Sequence, residues 1–164
     1  MKEPIAFDDA ADLLDADHKA VKTMFMEYTA LCEDGAPAAV KRVLAQRICL
    51  ALLVHAQIEE EIFYPQVREA TGDEVLIDEA MQEHAEAKAV IARIQAMKGS
   101  DAKLDAAVKQ LDALIEQHVL EEREQIFLNA RQAALDLRGM TRQLLKRQQD
   151  LKEKFGAIPT LEAA

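Results

Sequence analysis

Three clusters of helix-breaking residues divide this 164-residue sequence into four long stretches. The clusters are EDGAP at 33–37, TGD at 71–73 and GS at 99–100. Within each stretch apolar residues recur at alternating steps of three and four, which places them on one face of an α-helix. The predicted helices cover about 8–33, 37–69, 74–98 and 101–132. Because short turns make consecutive helices antiparallel neighbours, the predicted fold is an all-α, up-down-up-down four-helix bundle.

The composition also favours helix over strand. Only 4% of the residues are aromatic, Ala and Leu dominate the apolar set, and there are just 5 Gly and 4 Pro. No Ser- or Gly-rich linker divides the chain, so we predict a single domain over 1–164 with the bundle at about 8–132. A further C-terminal helix is predicted at about 137–155, with Asp136 as its N-cap.

Charge and hydropathy exclude several classes of partner. The net charge of -10 argues against nucleic-acid binding. The N-terminus is acidic where a signal peptide is basic and then apolar, and the longest unbroken apolar run, at 48–54, is too short to span a membrane. We therefore expect a protein with no nucleic-acid partner, no membrane association and a cytoplasmic location.

Each apolar stripe carries one histidine where an apolar residue is expected, and these are all 4 histidines of the chain. They are His18, His55, His84 and His118. At a rise of about 1.5 Å per residue, their distances from the neighbouring turns agree to within roughly one helical turn, so the side chains should converge on one layer. A lone histidine on an apolar face is usually a hydrogen-bonded core residue. Four at matching depth indicate a metal site instead.

Two of these histidines have a glutamate one turn later on the same helix face, namely Glu59 and Glu122. Burying them unpaired would be costly, whereas cations between the helices would satisfy them. Six N and O ligands exceed the needs of one tetrahedral zinc ion and favour two metals with bridging carboxylates. That leaves room for a bridging oxide or hydroxide and for an exogenous ligand. Iron suits this ligand set, although affinity order alone favours copper or zinc.

The segments around the histidines resemble the ligand segments of the hemerythrin-like (HHE cation-binding) family in order and spacing, over residues 10–132. They read DLLDADHKAVKTMF, HAQIEEEIFYP, EHAEAKAVI and HVLEEREQIF. The resemblance implies a non-heme di-iron centre holding two iron ions (Fe2+/Fe3+). The implied ligands are His18 with His55 on one iron, His84 with His118 on the other, and Glu59 and Glu122 as bridges.

Lys88 stands where oxygen-carrying hemerythrins have a fifth histidine. The site is more similar to the four-histidine, two-glutamate centres of bacterial iron-sulfur repair proteins and of an iron-sensing ubiquitin-ligase domain. An open position on each iron favours reactivity or exchangeable iron over reversible oxygen carriage. The expected function is binding of, or reaction with, dioxygen, peroxide or nitric oxide. Alternatives are an enzyme for peroxide dismutation or nitric oxide reduction, and an iron-responsive or iron-storage module.

Further expectations concern the second and last helices. Glu60 and Glu61 should point to solvent, and Tyr64, half a revolution from His55, should not be a ligand. Pro65 should either kink the helix beyond the site or mark its end. Residues 48–54 are apolar around the whole circumference of the helix, so something must cover them. We expect the C-terminal helix to fold back over them, the alternative being a homodimer.

Overall fold

The computed structural model describes residues 9–98 and 101–155. In those ranges it contains seven α-helices: α1 Ala10–Glu33, α2 Ala38–Ile58, α3 Tyr64–Thr71, α4 Glu74–Ala96, α5 Asp101–Glu121, α6 Phe127–Gln132 and α7 Leu137–Lys154. Two π-helical turns join α2 to α3 and α5 to α6: the first π segment, Glu59–Phe63, and the second π segment, Glu122–Ile126. The predicted all-α bundle of four long helices with an additional C-terminal helix is confirmed.

Aspartate side chains cap the N-termini of three helices, including the predicted cap Asp136. Asp9 accepts from the N–H of Asp12, and the side chains of Asp73 and Asp136 cap α4 and α7 in the same way. Asp8 and Ser100, also residues of the type that caps helices, lie outside the described residues. Gly72 ends α3 with φ 70°, a left-handed conformation that glycine adopts without steric cost.

Two apolar clusters fill the core, one on each side of the layer that holds the histidines. The cluster at the N-terminal end of α1, here called the α7 cluster, includes Phe63, Tyr64, Phe127 and the buried side of α7. The cluster at the opposite end, here called the distal cluster, is built from α1, α2, α4 and α5 alone. The four regular helices thus position the polar layer between two dry regions.

The last helix packs on α1, α2 and the first π segment. Its buried residues are Leu137, Met140, Thr141, Leu144 and Leu151. The four apolar ones share the α7 cluster with Val54 and Ile58, and no residue from 48 to 54 is exposed. The last helix therefore folds back on its own bundle as predicted, but of the apolar segment it meets only the end at Val54, because Ile48, Cys49 and Leu52 are buried in the distal cluster instead. A homodimer stays a prediction. Phe155, at the end of the predicted C-terminal helix, is 38% exposed because it lies beyond the last turn of α7.

Met81 on α4 is partly exposed, at 37%. It lies one turn before His84, on a part of α4 where the neighbouring Ala80 and Ile77 face the core instead. Among the helices of residues 9–98 and 101–155, none is both long and apolar enough to cross a membrane.

Candidate metal centre

The structure brings all six predicted ligands into the layer between the two clusters. The four histidines are 5–6% exposed and both glutamates are fully buried, at 0%. Their ligand atoms form two groups, each within 4.8 Å: His18, His55, Glu59 and Glu122 in one, and Glu59, His84 and His118 in the other. Glu59 belongs to both groups. The arrangement is the one expected for two neighbouring metal ions that share a carboxylate.

Each glutamate stands between the two histidine pairs. Glu59 Oε1 lies 3.1 Å from His55 Nε2 and 3.2 Å from His84 Nε2. Glu122 Oε1 lies 2.9 Å from His18 Nε2, while its Oε2 lies 3.4 Å from His118 Nε2. Within the pairs, the Nε2 atoms are separated by 3.1 and 3.2 Å. Both carboxylates therefore lie between the two histidine pairs, each within 3.4 Å of a histidine from either pair.

The other ring nitrogen of every histidine faces a carboxylate. The Nδ1 partners are Asp15 for His18 at 3.1 Å, Asp17 for His55 at 2.9 Å, Glu60 for His84 at 2.8 Å and Glu83 for His118 at 2.7 Å. An ionised carboxylate only accepts hydrogen bonds, so each Nδ1 must carry the proton. In a neutral imidazole this leaves the Nε2 lone pair pointing into the layer, the tautomer that binds metal.

The layer is consequently crowded with hydrogen-bond acceptors. In the described ranges, Glu59 Oε2 and Glu122 Oε1 are buried and have no hydrogen-bond partner. With neutral imidazoles, the close approach of Glu122 Oε1 to His18 Nε2 sets one lone pair against another. Such an arrangement needs positive charge between the acceptors. The donor set and its orphaned oxygens fit metal cations.

In the metal-free protein, protons supply this positive charge. Burial lowers the pKa of His118, but the negative charge of Glu122 and the hydrogen bonds to Glu122 and Glu83 outweigh it and raise the pKa to about 10. The other three imidazoles behave alike. Burial lowers the pKa of each, but the facing carboxylates outweigh burial, and the pKa lies above its usual value. Metals entering this layer must displace those protons.

Tyr64 lies at the centre of the site, so its expected position half a revolution from His55 is wrong, while the expectation that it is not a ligand stays a prediction. Its hydroxyl lies 3.3 Å from Glu59 Oε1 and 3.3 Å from Nε2 of both His84 and His118, and it donates to Glu122 Oε2. Burial raises the pKa of Tyr64 well above its usual value, with the charges of Glu122 and Glu59 adding to the effect, so the phenol stays protonated. Tyr64 thus contacts four of the six predicted ligands although the predicted set omits it.

The first π segment explains the error. A regular helix turns about 100° per residue, which puts Tyr64 about 180° from His55. The π turn accommodates an extra residue, so Tyr64 N–H bonds to the carbonyl of Glu59, five residues back. This reduces the angle to about 80° and turns the phenol inward. Pro65 follows directly, but the helix continues to Thr71, so the proline marks a change of winding rather than the helix end.

The prediction that Glu60 faces solvent is wrong. Glu60 holds Nδ1 of His84 and is also paired with Lys88, whose Nζ lies 2.8 Å from Oε1 and 2.7 Å from Oε2. A glutamate side chain is long enough to reach α4 from the edge of the buried face. Glu61, exposed and bonded to Arg147 of α7, does point outward as expected.

Lys88 lies beside a small cavity in the metal layer, here called the inner cavity. It measures about 30 Å³ and is lined by the four histidines, Lys88 and apolar side chains from α2, α4 and α5. The Lys88 side chain is 41% exposed and its ammonium turns outward to Glu60. The vacated fifth-histidine position is therefore occupied by a methylene stem rather than by a ligand atom.

The C-terminal helix also reaches the groups that support the histidines. Gln148 Nε2 donates to both oxygens of Asp17, at 3.2 and 3.3 Å, while Asp17 holds His55. From the second π segment, Arg123 Nε donates to Asp15 at 2.5 Å, and Asp15 in turn holds His18. The orientation of both histidines of one pair thus depends on residues outside the predicted ligand set.

Comparison with known proteins agrees with this geometry. A DNA nickase of Nostoc sp. (strain PCC 7120) is 31% identical over 116 residues, which cover 71% of this chain but only 32% of that protein. The chain is also similar in fold to the crystal structure of a hemerythrin HHE cation-binding domain-containing protein from Mycobacterium kansasii. The TM-score is 0.73 at 18% identity, covering 89% of this chain and 88% of that one.

The family model for the hemerythrin HHE cation binding domain matches residues 9–130. The match contains every residue of the layer between the two clusters, from His18 to Glu122. The chain therefore belongs to the hemerythrin HHE cation-binding domain family.

Proposed function

We propose that this protein is a non-heme di-iron protein that binds or reacts with dioxygen, peroxide or nitric oxide. The observation that carries the proposal is the convergence of four imidazole Nε2 atoms and two buried carboxylates, with every Nδ1 held by a further carboxylate. The proposed ligands are His18 and His55 for one iron, His84 and His118 for the other, and Glu59 and Glu122 as bridges.

When bound, the two iron ions supply redox equivalents and an open coordination position. The protein supplies orientation, since four carboxylates fix the histidine tautomers. It also supplies one positioned proton donor, the Tyr64 hydroxyl, in an otherwise acceptor-only layer. Phe63 and Phe127, at 0% and 2% exposure, exclude water on the α7 side.

The dimensions of the inner cavity support a small ligand. Its volume of about 30 Å³ exceeds the roughly 10–15 Å³ that one water molecule needs on the same measure, so it has room for a molecule of a few heavy atoms. A diatomic molecule or peroxide matches this space, whereas an organic substrate does not. The apolar part of the lining favours weakly hydrated ligands.

A second candidate is an iron-responsive module, and one contact favours it. Gln148 of α7 bonds to Asp17, which holds His55, so the C-terminal helix contacts the support of a proposed ligand. Loss of metal alters the charge on His55 and with it the strength of this chain of hydrogen bonds. Catalytic turnover of peroxide or nitric oxide remains the enzymatic alternative.

The proposal includes a cytoplasmic location and no nucleic-acid partner. The net charge of -10 opposes binding to a polyanion. The nicking activity in the name of the Nostoc relative is not transferred, because the matched segment covers 32% of that protein.

Iron content together with the optical spectrum tests the proposal. We expect roughly two iron ions per chain and near-ultraviolet bands of an oxo-bridged diferric centre. Glu59→Ala should lose both, whereas Glu61→Ala, two residues along the same π segment, should keep them because Glu61 is exposed and bonds to Arg147. If the unmodified protein holds less than about one iron per chain and lacks those bands, the di-iron assignment is wrong.

Ligand titration then separates the candidates. A binding protein should give a saturable spectral change with nitric oxide, whereas an enzyme should consume peroxide or nitric oxide over many turnovers. An iron-responsive module should instead show protease protection of α7 that depends on iron alone.

A further inference from the structure

An open groove runs along the seam between α1 and α5. It measures about 520 Å³ and is lined by residues such as Lys19, Lys22 and Thr23 on α1 and Val119 and Leu120 on α5. The groove reaches inward as far as His18, one of the proposed ligands. A surface feature of this size therefore ends at the metal layer.

The groove and the inner cavity share a wall. His18, Ile115 and Val119 line both spaces. Ile115 and Val119 are partly buried, whereas the cavity residues Leu52 and Ile91 are 6% and 2% exposed. Among the residues that the structure describes, Ile115 and Val119 are therefore the two aliphatic side chains in the shared wall.

Ion pairs close the groove at its two ends. Lys22 bonds to Glu116 and lies 3.8 Å from Asp112, which ties α1 to α5 at the distal end. Arg123, which lies within the second π segment, bonds to Asp15 at 2.5 Å and ties that segment to α1. Val119 lies between these two ties.

The remaining sides of the inner cavity are more firmly closed. Towards the α7 cluster stand Phe63 and Tyr64, at 0% and 1% exposure. Towards α4, Lys88 reaches the surface but is held by two short contacts to Glu60, at 2.8 and 2.7 Å. Opening on that side requires breaking an ion pair that also supports His84. The aliphatic side chains of Val119 and Ile115 form no ion pair that would have to break.

We propose that Val119, with Ile115, is the door between the α1–α5 groove and the inner cavity, and that the groove is the entrance for ligands of the metal centre. This inference rests on the proposed function, because it assumes that ligands bind at the layer. Two aliphatic side chains admit neutral or singly charged molecules of two or three heavy atoms and retard larger ones. Access, and hence ligand selection by size, is set at this wall.

Azide binding to the diferric protein, followed by stopped-flow absorbance, tests the door. Val119→Ala should raise the association and dissociation rate constants together, by about tenfold, the effect of lowering a barrier by about 1.4 kcal/mol. Val119→Phe should lower both. The dissociation constant should stay within about twofold, because a door changes rates and not the bound state.

Two control variants locate the route. Leu120→Ala lies on the groove but does not line the inner cavity, and it should leave both rate constants unchanged. Lys88→Ala opens the rival side. Faster azide binding in Lys88→Ala with unchanged rates in both Val119 variants would overturn the proposal, and so would a change in the dissociation constant without a change in the association rate.

A metal-free readout keeps the door testable if the protein holds no iron. The chain has 2 Tyr and no Trp, so in a Tyr28→Phe background the fluorescence comes from Tyr64, which contacts His84 and His118 of the inner cavity. Quenching by dissolved dioxygen should be faster in Val119→Ala and slower in Val119→Phe. Absence of an azide spectrum in the unmodified protein would end the di-iron proposal alone, whereas equal quenching in all three proteins would end the door.

Discussion

The two ends of the bundle differ in how their helices are wound and how they are closed. The α7 cluster contains residues from both π segments, carries Phe63, Tyr64 and Phe127, and is covered by a fifth helix. The distal cluster is built from regular α-helix, and the inner cavity draws Leu52, Ala87 and Ile91 from that side. Irregular winding brings a phenol to the layer on one side, while regular winding on the other leaves room for a ligand.

Both π segments begin at a proposed bridging glutamate, Glu59 in one and Glu122 in the other. The residue that follows each π segment faces the layer. Tyr64, after the first segment, bonds to Glu122. Phe127, after the second, stacks on His18 with ring centroids 5.9 Å apart. One extra residue in a π turn therefore rotates the aromatic residue that follows it from the outward to the inward face of the helix.

Removal of α7 should have the largest effect, because α7 covers one end of the bundle and not the other. Deleting residues 134–164 takes away four large buried apolar side chains of α7, each worth about 1.5–3 kcal/mol. A loss of about 5 kcal/mol or more approaches the whole stability of a typical domain. We expect lower heat stability, self-association and binding of a hydrophobic dye, with iron binding retained because no proposed ligand is removed.

Thermal unfolding and sedimentation measure this effect. Leu145→Ala is the matched control, since Leu145 lies on the outer side of α7 at 40% exposure. A truncated protein that stays monomeric and as heat-stable as the full chain would show that α7 covers nothing essential.

The layer between the ends should respond strongly to pH. The pKa of His118 rises from 6.5 to about 10 in the folded metal-free protein. Its contribution to metal-free stability is therefore fully present below about 6.5 and is lost as pH rises through about 10. Since metal must displace this proton, metal affinity should rise over the same window, by up to about tenfold per pH unit for each proton released.

Competition with a chelator at several pH values measures the slope. Glu83→Gln removes one carboxylate that raises the pKa of His118, so the slope should become shallower in that variant. An affinity independent of pH between about 6.5 and 8 would contradict the proton–metal competition.

The two tyrosines allow the cost of losing a hydroxyl hydrogen bond to be compared between the metal layer and the distal end. Tyr64 donates to Glu122, which is 0% exposed, while Tyr28 donates to Asp105, whose side chain is 35% exposed. Tyr64→Phe should lower metal-free stability by about 1–3 kcal/mol because no water reaches the abandoned carboxylate. Tyr28→Phe should cost about 0.5–1.5 kcal/mol, since water can replace the hydroxyl.

Bound iron should change the cost of one tyrosine substitution and not of the other. With metal bound, Glu122 is neutralised in another way, so the cost of Tyr64→Phe should shrink while that of Tyr28→Phe stays the same. Denaturant unfolding of both variants, with and without iron, measures the four values. Equal costs for Tyr64→Phe in both states would mean that its hydroxyl does not substitute for a cation.

The sequence predicts the bundle and brings the six proposed ligands together because both follow from regular helical periodicity. His55 and His118 lie in regular α-helix, and Glu59 and Glu122 are the first residues of the π segments, so the rule of about 100° per residue still holds over the four residues between each pair. It fails for Tyr64, which lies beyond an inserted residue. Apolar spacing contains no signal for that insertion, although Pro65 indicates that the winding changes nearby.

The supporting carboxylates show a second limit. Asp17 and Glu83 hold histidines 38 and 35 residues away on other helices. Such contacts depend on the rotation of neighbouring helices, which a stripe of apolar residues fixes only to within a wide arc. Charged residues beside the stripe therefore read as solvent-facing, as Glu60 did, even when they hold a buried imidazole.

The smallest expected effect concerns the contact between the fifth helix and the layer. Gln148→Leu removes the hydrogen bonds to Asp17 while keeping a side chain of similar size, and should lower stability by about 0.5–1 kcal/mol. Asp17→Asn acts directly on His55 and should weaken iron binding by about 10–100-fold. Gln148→Leu should therefore change iron affinity by only a few-fold.

Gln143→Leu is the control on the same helix, because Gln143 bonds to Gln66 at the surface and not to a group that holds a histidine. Gln148→Glu reverses the interaction by setting a second carboxylate against Asp17, and it should loosen α7 more than Gln148→Leu does. Hydrogen exchange of α7, with and without iron, reads out the coupling. If iron protects α7 equally in the unmodified protein and in all three Gln variants, the bond from Gln148 to Asp17 transmits nothing, and α7 serves only to cover the apolar surface of α1 and α2.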